Sequence, residues 1–495
     1  MRPSSAAFCT VSARVVVQGI RLASAAVMSR LLGPSEFGLV ALAMAFAGFA
    51  TILTDVGLRA AVVQYRDLNR AGLSTVFWLS AGVGAVLALA LSISSRLIAN
   101  FAHLPALSSV LVAISCGLFF SSICAVPLGL MNLKMEFRKT AIVEMVSECG
   151  AGCAAIGLAL HGFGYWALVG QNLTATATAC LLYYVVSGWR PSLDFDSAQV
   201  RRIALFSTNM LGFNALNYWA RSLDALLIGR YWGSGQLGYY NRAYSLMMYP
   251  YSMLHTAVTP VLHSALSTMQ HDLARMRQTY LKLAKISLMI SFSTAATFAV
   301  LAEPLVVTIW GTQWLPSVPA FRLLCVVAAI QPILAASGSV YIARNRADLL
   351  FKLGAVYIAA VCAGFVLGLH WGILGVAAGY AVANLLVIPP TLSFIVLRLL
   401  EGKFSDLLRQ AYTPVLCALA GATCATAGNS LTGAVQPVPV RLFLGLLGGV
   451  AGVVATACVL DLSFVKACLD MLPARMRSFL PCYENRQDCA VDPTL

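Results

Sequence analysis

Apolar stretches long enough to cross a bilayer recur along almost the whole chain, and no other feature constrains the fold as much. A spanning helix needs about 20 predominantly apolar residues. Such stretches lie near residues 8–29, 37–55, 76–95, 106–130, 142–161 and 164–187, then near 206–228, 239–263, 284–309, 320–343, 349–369 and 372–397. Two more lie near 412–430 and 441–460. About fourteen spans use roughly 280 residues, so only short connectors remain and there is no room for a sizeable soluble domain. Charged residues are 11% of the chain and the mean hydropathy is +0.81, whereas a soluble domain carries about 25% charge. The expected class is an all-α polytopic membrane protein with about 14 transmembrane helices. Arg14 and Arg21 interrupt the first apolar stretch, which reads as an uncleaved helix rather than a signal peptide.

The net charge of +14 has a topological cause. With both ends placed on one side, the termini and even-numbered connections hold 24 of the 33 Lys and Arg residues, and the odd-numbered connections hold five. By the positive-inside rule both termini face the cytoplasm, and the basic balance requires no nucleic acid. The odd connections are short, so no large outer domain exists to carry an extracytoplasmic enzyme site.

Several chemistries are missing. Most of the 14 cysteines lie within apolar stretches, where a free Cys behaves as a small hydrophobe. Cys482 and Cys489 in the tail lack the number and spacing of a zinc site. Gly402 and Lys403 are followed by Phe404 rather than Ser or Thr, so no phosphate-binding loop for ATP is present. No H-E-x-x-H or G-x-S-x-G occurs. No metal, cofactor or catalytic residue is expected.

The chain repeats itself at an offset of about 200 residues. Ser29–Gly38 (SRLLGPSEFG) parallels Gly229–Gly238 (GRYWGSGQLG), aligning Arg21 with Arg221, Arg30 with Arg230, Gly33 with Gly233 and Gly38 with Gly238. Further on, Leu158–Gly162 (LALHG) parallels Leu367–Trp371 (LGLHW) at an offset of 209. These anchors bracket two units of six helices. Because six is even, both enter the membrane in the same direction, a parallel repeat with the substrate route expected between lobes. The expected organisation is an N-lobe at 1–190, a C-lobe at 191–400, two extra helices at 401–462 and a cytoplasmic tail at 463–495.

Ionisable residues inside spans cost about 2.5–3.5 kcal/mol each on insertion scales, so each marks a candidate site. In the first helix Arg14, Gln18 and Arg21 form one stripe. In the seventh, Asn214, Asn217, Arg221 and Asp224 form another. Since Arg21 and Arg221 are repeat equivalents, the stripes are expected to face each other. Paired guanidinium groups in a low-dielectric cavity suit a phosphate or pyrophosphate, which arginine binds bidentately while remaining charged. The plainer reading is that Arg14 snorkels to the interface and Arg221 pairs with Asp224. Arg242 stands among tyrosines 239, 240, 244, 249 and 251, either contacting a sugar-bearing headgroup or belonging to an interfacial aromatic belt. Glu144 and Glu148 lie one turn apart, as carriers of a coupling ion or as an interfacial and a hydrogen-bonded acid. Asp224 is the third candidate for ion coupling.

The segments SRLLGPSEFGLVALA (Ser29–Ala43), LGYYNRAYSLMMYP (Leu237–Pro250) and PVLHSALSTMQHD (Pro260–Asp272) resemble those of the polysaccharide transport (Wzx-type) branch of the multidrug/oligosaccharidyl-lipid/polysaccharide exporter superfamily. The resemblance covers roughly residues 10–400. It implies a MATE-like two-lobed fold and alternating access. It also implies translocation of undecaprenyl-pyrophosphate-linked oligosaccharide between leaflets of the bacterial inner membrane, for exopolysaccharide, capsule or O-antigen synthesis. It further implies a cationic central cavity, where Arg14, Arg21 and Arg221 stand. Polysaccharide polymerase and export machinery would be partners alongside membrane lipids and the lipid-linked substrate. His263 departs from the family pattern, and the two extra helices and tail vary across it.

Four other functions compete, the blandest a non-catalytic assembly scaffold, which would not require paired arginines within the spans at repeat-equivalent positions. A multidrug extruder of the same fold would need an acidic cavity for organic cations, whereas the excess within the spans here is basic. A flippase of the peptidoglycan precursor also favours arginines, but the quoted segments point to the polysaccharide branch. A membrane-embedded polymerase or glycosyltransferase would need catalytic residues on a substantial outer loop.

Overall fold

The computed structural model describes residues 3–64, 70–194, 197–269, 272–430 and 437–460. Among them every regular element is a helix, and each of the fourteen expected spans falls on helical chain. Nine helical stretches among the described residues are long and apolar enough to cross a membrane. The expected tail lies outside the described residues. In chain order the helices begin with α1 (Pro3–Leu31), α2 (Pro34–Gln64), α3 (Arg70–Ala102), α4 (Ala106–Ile123), α5 (Ala125–Leu133), α6 (Phe137–Leu160) and α7 (Trp166–Ser187). They continue with α8 (Ser197–Thr268), α9 (Leu273–Val300), α10 (Ala302–Trp310), α11 (Val318–Ala343), α12 (Ala347–Gly368) and α13 (Gly372–Pro390). The last are α14 (Leu397–Leu399), α15 (Phe404–Ser430) and α16 (Val438–Leu460).

Local chemistry sets where these helices begin, break and end. Pro34 opens α2 at a position where its missing N–H costs nothing, and the Glu36 carboxylate accepts the Gly33 N–H at 2.7 Å. The stretch near 106–130 divides into α4 and α5 at Cys124. Pro127 cannot donate to the carbonyl four residues back, and the Tyr184 hydroxyl donates to that Ile123 carbonyl instead, at 2.7 Å. Asp272 caps α9 by accepting the Arg275 N–H at 2.9 Å, and α7 ends at Gly188 with φ of 64°. The seventh and eighth expected spans are both carried by α8, which breaks at Gly233, where φ is 78° and ψ is 175°.

The chain forms two compact units interleaved in sequence. One comprises Met1–Ala257, Leu305–Val327 and Arg346–Pro389; the other comprises Val258–Pro304, Ala328–Asn345 and Pro390–Leu495. Within the first, α1 packs on α6, α6 on α7, and α2, α3 and α7 surround α4. The sequence repeat becomes a physical contact here. A Cβ on Gly38 would sit 1.7 Å from the Ser234 carbonyl oxygen, and one on Gly238 would sit 1.9 Å from the Pro34 carbonyl oxygen. Gly38 and Gly238, like Pro34 and Ser234, are 200 residues apart. Repeat-equivalent backbones therefore touch reciprocally, and only glycine leaves room for the approach.

In the second unit, α15 packs on α9 and α16 around Met289, Cys417 and Ala457. Small residues set the α15–α16 distance: a Cβ on Gly428, Gly448 or Gly452 would lie 2.6–2.7 Å from a carbonyl oxygen of the facing helix. Close backbone approach through glycine is how spanning helices gain van der Waals contact without a hydrophobic driving force. The two extra helices are thus built to pack on each other.

Candidate functional site

Arg21 lies on α1, and its partner comes from a helix more than a hundred residues away. Its Nε and Nη2 both donate to Glu148 Oε1 on α6, at 2.8 and 2.6 Å. The Arg21 side chain is 52% exposed and that of Glu148 17%, so the pair forms at an open edge rather than inside packed protein. One turn along α1, the Ser24 hydroxyl accepts from Gln171 on α7 at 2.9 Å. A Cβ on Gly152, one turn beyond Glu148, would meet that hydroxyl at 3.3 Å. Small and polar residues already join the three helices beside the ion pair. Gln18, one turn before Arg21, is half-buried, as is Glu144 one turn before Glu148.

Arg221, the repeat equivalent, has a different environment. It donates to the Tyr244 hydroxyl, with Tyr251 and Tyr380 close enough to interact electrostatically and Tyr357 likewise. Asp224, three residues on, is buried at 5% exposure. It accepts the Tyr240 hydroxyl at 3.0 Å and the Ala225 N–H at 2.7 Å. The rings of Tyr240 and Tyr244 stack at 6.2 Å, and Tyr244 lies 6.4 Å from Tyr380. The Tyr357 hydroxyl donates to Asn384 Oδ1 at 3.1 Å, and Asn384 Nδ2 donates to the Tyr380 carbonyl at 2.8 Å. Tyr240 and Tyr244 therefore belong to a packed polar cluster within the unit.

Tyr357, Tyr380 and Asn384 went unmarked in the sequence, although a signal for two of them was available. The 209-residue offset that aligns His161 with His370 takes Glu148 to Tyr357 and Gln171 to Tyr380, while the 200-residue offset takes Ser24 to Asp224. Four polar groups of α1, α6 and α7, at Arg21, Ser24, Glu148 and Gln171, thus correspond to polar groups of α8, α12 and α13. The acid has changed helix: it faces the arginine from α6 in the first half and shares α8 with it in the second.

Arg242 is 8% exposed and sits over aromatic rings. Its guanidinium carbon is 3.8 Å from the Phe37 ring centroid and 5.7 Å from those of Trp310 and Trp314. Its Nε has no hydrogen-bond partner among the described residues. Cation–π attraction replaces a carboxylate here, which is strongest where water is excluded. The rings are themselves anchored: Trp314 Nε1 donates to the Ser29 carbonyl at 2.8 Å, and Gln313 Nε2 donates to the carbonyls of Ser29 and Leu32. Arg30 reaches the Thr308 carbonyl. Tyr249 lies within electrostatic reach of both Arg21 and Arg242. The side chains of Arg14, Asn214 and Asn217 lie outside the described residues.

The helical spans describe a multi-pass membrane protein. The polysaccharide biosynthesis protein family matches over residues 27–319, more than half of the chain, and the protein belongs to that family. It is 26% identical over 385 residues to the lipopolysaccharide biosynthesis protein WzxC of Escherichia coli (strain K12), covering 76% of this chain and 77% of that one. Its fold is similar to that of the lipid II flippase MurJ in an inward closed conformation, with a TM-score of 0.74, 14% identity, and coverage of 91% of this chain and 98% of that one. An inward-facing multidrug resistance transporter of the MATE family aligns with a TM-score of 0.60 and 17% identity, over 79% of this chain and 94% of that one. The expected MATE-like helical fold and the family assignment both stand.

Proposed function

We propose that the protein is a flippase that moves undecaprenyl-pyrophosphate-linked oligosaccharide repeat units across the bacterial inner membrane by alternating access. The observation that carries this reading is the pair of repeat-equivalent arginines within the spans, Arg21 and Arg221. Membership of a polysaccharide biosynthesis family and a fold similar to that of a lipid II flippase support it. A pyrophosphate offers oxygens to both guanidinium groups, and each retains its charge throughout the cycle. Arg14, Gln18, Asn214 and Asn217 extend the same helical stripes and add hydrogen-bonding capacity along the route. Of the tyrosines around Arg221, the half-buried Tyr251 and Tyr357 suit the sugars next to the pyrophosphate, since such rings and hydroxyls present apolar faces and polar edges together. Arg242, under its aromatic rings, supplies positive potential from beside the route. Glu144, Glu148 and Asp224 are the candidates for a coupling ion.

The cycle follows from these roles. The headgroup enters from the cytoplasmic leaflet, Arg21 and Arg221 hold the pyrophosphate, and rocking of the two homologous halves turns the site outward. The lipid tail stays in the bilayer throughout, because removing so many methylenes from lipid would cost about 0.8 kcal/mol for each CH₂. Both termini face the cytoplasm, and the product passes to a polymerase and export machinery. No bond is made or broken.

The reading is tested with wild-type protein in proteoliposomes holding a fluorescent undecaprenyl-pyrophosphate oligosaccharide. Time-dependent loss of protection from an external quencher is the expected result. Retained protection, together with efflux of cationic dyes from the same vesicles, would replace the flippase with a multidrug extruder.

A further inference from the structure

We propose that Glu148 is a resident counter-ion for Arg21 that the substrate phosphate displaces, so that it sets how tightly the headgroup is held and how readily it leaves. This rests on the phosphate-binding reading of Arg21. Three observations carry it. Two of the five N–H donors of the Arg21 guanidinium, on Nε and Nη2, converge on one oxygen of Glu148, so the carboxylate occupies one of the edges by which the arginine would grip a phosphate bidentately. The arginine is half exposed, so its guanidinium stays open to a competing anion. The helix packing does not need it. Gly152 against Ser24 and the Gln171–Ser24 hydrogen bond already join α1, α6 and α7, and the repeat-equivalent position on α12 is Tyr357, which carries no charge.

An arginine inside a membrane protein is costly without a partner. Glu148 lowers that cost while the site is empty. A pyrophosphate brings more negative charge and more acceptor oxygens than one carboxylate, so it outcompetes Glu148 on arrival. When the headgroup departs, Glu148 recaptures Arg21 and so assists release. In the second half the nearby carboxylate, Asp224, is buried and held by the Tyr240 hydroxyl and the Ala225 N–H, so it is not free to exchange in this way.

The test is binding of undecaprenyl pyrophosphate to the full chain in nanodiscs of neutral lipid, comparing wild type with Glu148→Gln, Arg21→Gln and the double variant. Glu148→Gln is expected to bind about two- to fivefold tighter, the scale of an exposed ion pair, and Arg21→Gln to bind more weakly. In the Arg21→Gln background Glu148→Gln is expected to change nothing, since the effect acts through that arginine. Equal tightening in both backgrounds would mean a long-range charge effect and would overturn the proposal. Unchanged or weakened binding in Glu148→Gln would overturn it too, while Arg21→Gln binding more weakly would leave the headgroup reading standing. Wild-type affinity in Arg21→Gln would instead remove the headgroup reading on which the proposal rests. Should Glu148→Gln fail to fold, Glu148→Ser gives the same readout.

Discussion

The two halves place an arginine at the same point of the same three-helix arrangement and then compensate it differently. In the first half Arg21 faces the carboxylate of Glu148 from the neighbouring helix. In the second, Arg221 bonds the Tyr244 hydroxyl, while the local acid, Asp224, is buried and engaged by Tyr240. On the proposed reading, the first arginine carries an exchangeable counter-ion and the second a carboxylate that is locked in place by Tyr240. The two halves differ at three corresponding positions, Ser24/Asp224, Glu148/Tyr357 and Gln171/Tyr380.

The contact that relates the halves is the most vulnerable to substitution. Gly38→Val and Gly238→Val each drive a side chain into a carbonyl oxygen of the partner segment, and overpacking of this kind costs about 1–3 kcal/mol or more. Both are expected to lower the thermal midpoint of the purified protein by similar amounts. A large effect at one and none at the other would break the reciprocity. Next comes the contrast between the acids. Asp224→Ala leaves the buried Tyr240 hydroxyl without its acceptor and is expected to cost about 1–3 kcal/mol. Glu148→Ala, at an exposed pair, is expected to cost under about 1 kcal/mol. Equal losses would mean that both acids are structural.

Phe37→Leu removes the ring closest to Arg242. Its expected cost is about 1–2 kcal/mol beyond the lost apolar burial, and Phe37→Tyr is expected to retain most of the stability. If Phe37→Leu and Phe37→Tyr melt alike, the ring face does not compensate the cation. The smallest effect on transport falls at the far side of the tyrosine cluster. Tyr357→Phe loses the hydrogen bonds of its hydroxyl with Asn384 and Tyr380, about 0.5–1.5 kcal/mol each, and is expected to leave transport within a few-fold of wild type.

Much of this architecture is legible in the sequence, because a bilayer permits few solutions. Apolar length located fourteen spans, and the matched glycines of Ser29–Gly38 and Gly229–Gly238 marked the segments that later prove to touch. The stripes on the first and seventh helices marked Arg21 and Arg221. What periodicity on one helix could not give was partners on other helices. Arg21 offers no acid on its own helix, and Glu148 reaches it across 127 positions. Arg221 interacts electrostatically with Asp224, as spacing suggested, but it also bonds the Tyr244 hydroxyl and lies near Tyr357 and Tyr380, which come from α12 and α13. The aromatic cover over Arg242 combines Phe37 with Trp310 and Trp314, residues that no local pattern connects. The apolar pattern predicts two helices where α8 runs, and Gly233 joins them into one run through a conformation open to glycine.

The central claim is that the equivalent arginines of the two halves hold one phosphate headgroup. It is tested most directly by flipping of a fluorescent undecaprenyl-pyrophosphate oligosaccharide in proteoliposomes by folded Arg21→Gln and Arg221→Gln. The account predicts that each single variant loses transport by at least about tenfold, the loss expected when a charged hydrogen-bonding partner of a bound anion is removed. Wild-type rates in both variants would contradict it.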